Sequence, residues 1–158
     1  MDAGLVLLHV AVAFWFVAGL IGRNVALGRA RFSDQLGVVA ELVQLAGRFE
    51  RLMVIPGSFA VLLLGLLAAW AQGRPLAGSG NGWLLASLIL YVALMAQVPL
   101  VFRPRGRVFD RALEDAERLG RVTPALASAF RDPVVATARN LELVGVAVIL
   151  ALMVTKPF

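Results

Sequence analysis

LVLLHVAVAFWFVAGLIG (residues 5–22) is apolar at every position except His9. About 20 apolar residues are what a helix needs to cross roughly 30 Å of hydrocarbon. The run does not alternate apolar with polar, so it is not a strand of an outer-membrane barrel. Working outward, three more runs of the same kind follow, and the four spans are predicted at about 4–23, 52–71, 83–102 and 134–154. Of the 158 residues, 60% are hydrophobic and 16% charged, against about 25% charged in a soluble domain. The expected fold is all-α: a single domain over 1–158, an integral membrane four-helix bundle.

The first span carries no Lys or Arg before it and has Asp2 instead. It lacks the basic start of a secretory signal, so it is expected to stay in the mature protein. Arg23, Arg29, Arg31, Arg48 and Arg51 surround the first connection, and Arg103, Arg105, Arg107, Arg111, Arg118, Arg121, Arg131 and Arg139 the third. Arg74 and Lys156 are alone on the other side. Thirteen against two, out of the 15 Lys and Arg, is a positive-inside pattern. It predicts the inner, cytoplasmic membrane with both termini outside, and anionic lipids against the cytoplasmic face. Charges at a membrane surface with no recognition motif exclude nucleic acid as the partner.

Between spans, Ser33-Asp34 reads as an N-cap. Val39, Leu42, Leu45 and Phe49 then line one face, with Glu41, Gln44, Arg48 and Arg51 elsewhere. This predicts an amphipathic cytoplasmic extension running directly into span two, with a kink at Pro56-Gly57. Residues 72–82 are a loop by composition. The breaker cluster 103–107 is expected to end span three, with short cytoplasmic helices following, the first over 108–119. Thr123-Pro124 and Asp132-Pro133 each read as an N-cap with proline at the first helical position. Ala11, Ala18 and Gly22 on span one, and Gly65 with Ala69 on span two, sit at spacings that let helices approach closely.

Few groups carry chemistry. There is no cysteine, which removes thiol nucleophiles, iron–sulfur clusters and covalent haem attachment through Cys-x-x-Cys-His. No zinc spacing or phosphate loop is present. His9 is the only histidine. It is expected to face the protein interior with Leu5, Val12, Ala13 and Phe16, against spans three and four. There it makes an interhelical hydrogen bond, with Tyr91 among the acceptors, or ligates a cofactor. If haem binds, His9 is the metal ligand, and Met153, at a similar depth, is the natural second one. Arg23, Glu50, Arg51, Arg139 and Glu142 form a polar cluster at the cytoplasmic mouth, either an interfacial ion-pair network or a seat for an anionic group.

Three segments carry a resemblance: His9 followed by Trp15 and Gly19, the RFERLMVIPG entry to span two (residues 48–57), and the terminal MVTKPF (residues 153–158). Across all four spans the chain resembles the bacterial integral membrane family called domain of unknown function 2269. More distantly it is similar to the HemJ-type protoporphyrinogen oxidases, which hold haem through a histidine in the first span and a lysine in a later one. His9 matches the first ligand. The lysine has no counterpart in residues 83–102, because the only lysine is Lys156.

Two readings stand. One is a non-catalytic integral membrane subunit, or an assembly partner of a larger membrane complex. The other is a small haem- or porphyrin-associated redox protein of HemJ-like type that uses His9.

Overall fold

The computed structural model describes residues 2–74 and 80–157, and every regular element among them is helical. Four stretches are long and apolar enough to cross a membrane: Ala3–Ala30, Leu36–Ala71, Gly82–Leu119 and Pro124–Thr155. The expected 72–82 connection lies partly outside the described residues. The chain divides into two compact units, Met1–Pro75 and Leu76–Phe158.

The first unit is an antiparallel hairpin. Helix α1, Asp2–Ala30, packs along α2, Leu36–Phe49, and α3, Ile55–Ala71. A π-helical turn, Glu50–Val54, joins α2 to α3 without a break. The expected cap at Ser33-Asp34 is displaced. The residue before α2 is Gln35, which makes no side-chain cap bond, and Ser33 Oγ instead accepts from the Gln35 N–H at 3.3 Å.

Glycines set the approach of the two helices. A Cβ built on Gly22 would meet the Phe49 ring at 2.7 Å, and one on Gly19 would meet the Met53 Cβ at 2.5 Å. From the other side, Gly57 receives Phe16 at 3.0 Å and Gly65 receives His9 at 3.0 Å. Each glycine thus lets a large side chain of the opposite helix rest on its backbone, in steady antiparallel register. In lipid, where helices gain little from burial against one another, such close dispersion contact is what holds a pair together. The small-residue expectation is corrected in part: Gly22, Gly65 and Ala69 are in contact, but Ala11 and Ala18 are exposed. Leu7, Phe14, Phe59 and Trp70 also stand exposed, as suits side chains solvated by lipid.

In the second unit α4, Gly82–Gln97, packs against α7, Pro133–Thr155. The Leu94 side chain fills the space over Gly145, 2.9 Å from where a Cβ would stand. A second π turn, Val98–Phe102, carries α4 into α5, Arg103–Leu119. The breaker cluster therefore does not end the helix, and 108–119 is not a separate element. Helix α5 stops at Gly120, in the left-handed conformation at φ 67°. The short α6, Pro124–Phe130, packs on α5 through an edge-on Phe109–Phe130 pair. Thr123 Oγ1 caps α6 by accepting from the Leu126 N–H. Asp132 Oδ1 caps α7 by accepting from Val134 and Val135.

The two π turns share a construction. Ile55 N–H bonds back to Glu50 O, and Arg103 N–H to Val98 O, each across five residues. A proline follows immediately, Pro56 and Pro104. Proline offers no N–H and its ring crowds the carbonyl four residues back. Widening the preceding turn keeps the helix continuous through a residue that normally breaks it.

Candidate functional site

An ion pair within the apolar helices lies beside the first π turn. In the first unit Arg23 Nη1 donates to Glu50 Oε2 at 2.6 Å. The Arg23 side chain is 10% exposed and that of Glu50 37%. Glu50 is the first residue of the π turn, level with Arg23 because Gly22 has accepted Phe49 one position earlier. A charge taken from water at this depth is tolerated when it is paired. On the same helix face, Asn24 Nδ2 returns to Leu20 O at 2.8 Å. Arg51 does not join the pair: it is exposed, and its Nε donates to Gly47 O of its own helix.

Arg139 and Glu142 lie on α7, in the second unit. Both are half-buried and engaged in polar or electrostatic contact. Lys156 stands over the Trp83 ring at 5.7 Å, and Leu94 stands over Gly145. This antiparallel register puts Gln97 level with Glu142, next to the Val98–Phe102 turn. Each unit therefore has a polar group beside its own π turn. Of the five residues expected at the cytoplasmic mouth, Arg23 and Glu50 form an ion pair, Arg51 bonds to its own helix, and Arg139 and Glu142 lie on α7.

His9 sits near the other end of the first hairpin and is half-buried. Its Cε1 edge faces Gly65, with Nδ1 and Nε2 flanking it at 3.5 and 3.8 Å from the position of a Cβ there. The Val61 backbone carbonyl, one turn earlier on α3, is its polar neighbour. Nδ1 is buried with no hydrogen-bond partner among the described residues. Phe16, expected on the same stripe, is buried as well. Within the first unit, span two receives His9 and Phe16 of this stripe, at Gly65 and Gly57, a contact the sequence reading did not name.

The His9 ring rests with its Cε1 edge on Gly65 of α3, so a haem on this histidine would have to share the imidazole with that helix contact. The proposed second residues, Met153 and Tyr91, belong to the second unit. There Tyr91 is level with Val148 and Met153 with Ala86, an offset of about 7 Å along the helices. Among the described residues no group of three or more His, Cys, Asp or Glu could hold a metal ion.

One groove opens on the first hairpin. It has a volume of about 320 Å³ and is lined by Trp15, Leu45, Arg48, Phe49, Leu52 and Met53. Sequence reasoning missed it, although the amphipathic pattern of α2 had placed Leu45, Arg48 and Phe49 near one another.

Long apolar helices, glycine-seated helix pairs and ion pairs at the helix turns define a helical integral membrane protein. The chain belongs to the family described as predicted integral membrane protein (DUF2269), whose model matches residues 4–157. No curated protein and no solved structure matches it.

Proposed function

We propose that the chain is a non-catalytic integral membrane subunit, or an accessory partner, of a larger membrane complex in the bacterial inner membrane. The observation that carries this reading is the seating of His9 on Gly65. The one histidine of the chain is used to pair two helices, and the Arg23–Glu50 ion pair joins the same two helices. Polar groups inside apolar spans are functional candidates by default. Here their contacts serve assembly of the hairpin. The arginine asymmetry supports an orientation with both termini outside and the π-turn ends of the helices at the cytoplasmic face, near anionic lipids.

The test is gentle solubilisation of native membranes after cross-linking of the chain at its natural level. The expected result is a second membrane protein in fixed stoichiometry with a colourless chain. A chain that migrates alone and carries stoichiometric haem would establish the HemJ-like alternative instead.

A further inference from the structure

We infer that the groove between Trp15 and Arg48 is a retention site for one anionic phospholipid, independent of the accessory role. Five of its six lining residues, Trp15, Leu45, Phe49, Leu52 and Met53, are apolar. They offer a wall for an acyl chain. The sixth, Arg48, is exposed at the rim and makes no ion pair among the described residues. Its neighbours in the chain are committed: Glu50 to Arg23, and the Arg51 Nε to Gly47 O. Arg48, which lines the groove, is thus a cation available to a ligand there. A guanidinium pairs with a phosphate through two parallel N–H donors, while the long apolar lining matches a hydrocarbon tail. One positive charge beside an apolar slot complements a lipid that joins a negative headgroup to an acyl chain. An uncharged chain would leave Arg48 unanswered, and a free phosphate would leave the apolar wall uncovered. Trp15, 43% exposed, reports directly on what occupies the groove.

The protein is reconstituted into phosphatidylcholine vesicles containing an equal mole fraction of either brominated-chain phosphatidylglycerol or brominated-chain phosphatidylcholine. Bromine quenches tryptophan on contact, and the share belonging to Trp15 is the quenching that a Trp15→Phe variant lacks. Phosphatidylglycerol should be preferred by about fivefold, the size that one basic side chain beside an anionic lipid supplies. Arg48→Gln should bring the ratio to one. Arg121→Gln, a change at an exposed arginine of the other unit, should leave it unaltered. Equal quenching by both lipids would overturn the inference. So would quenching by neither, which means protein covers the groove, or an equal loss with Arg121→Gln, which means only a general surface field.

Discussion

His9 and Gly65 form a knob and its seat: the Cε1 of the imidazole lies 3.0 Å from where a Gly65 Cβ would stand. A polar ring is therefore used as a packing element, and the residue opposite is the one type that leaves room for it. The ring also comes beside the Val61 carbonyl, a contact that a larger residue at 65 would push away. Gly65→Leu is expected to cost about 1–3 kcal/mol by overpacking. In a His9→Ala background the same substitution should cost less than half as much, because the space it needs has been vacated. Thermal unfolding of the four proteins in detergent gives the coupling.

The Arg23–Glu50 pair crosses the same hairpin one end further on. Glu50→Gln removes the ion pair with Arg23, and with Glu50 partly exposed the expected loss is about 1–3 kcal/mol. The double variant Arg23→Gln with Glu50→Gln should lose less than the two single losses added together. Additive losses would mean that the two side chains act separately, and detergent unfolding curves of all three variants decide it.

How much of this was legible can be followed residue by residue. The four apolar runs announce four long helices, since hydropathy over 20 residues is a strong signal. Thr123 and Asp132 are readable as caps because the cap and the following proline are local chemistry. The π turns are not readable. Pro56 and Pro104 look like breakers, and what keeps the helix whole is an extra residue in the turn before them, which has no compositional mark. Arg23 and Glu50 meet as an ion pair, but which charges meet depends on helix register. That register is set by Gly19, Gly22, Gly57 and Gly65 accepting particular large residues, a pairing that spacing within one helix does not contain. For the same reason the contact of His9 and Phe16 with span two was not foreseen.

The start of α7 offers a cleaner separation of effects. Asp132 caps two backbone N–H groups and also accepts from Arg105 Nη1 at 2.7 Å. Asp132→Ala should cost about 1 kcal/mol through loss of the cap. Asp132→Asn keeps a capping oxygen and loses only an ion pair whose arginine is 48% exposed. Its effect should stay within about 0.5 kcal/mol. A larger loss for Asn than for Ala, read from the melting midpoints, would mean that the ion pair and not the cap holds this corner.

The proposed orientation rests on the arginines. A phosphatase reporter, active only when exported, should be active when fused after Phe158 and inactive when fused at Arg121, with a cytoplasmic fluorescent reporter giving the converse. The reverse pair of outcomes would contradict the orientation proposed from the thirteen-to-two distribution of basic residues.

The central claim is that His9 pairs helices and does not ligate a cofactor. The most direct measurement is the visible absorption spectrum of the chain purified in mild detergent from its own membranes. The account predicts no Soret band, with wild type and His9→Ala indistinguishable in the visible and differing only in stability, by about 0.5–2 kcal/mol. A stoichiometric Soret band in the wild type that vanishes in His9→Ala would contradict it.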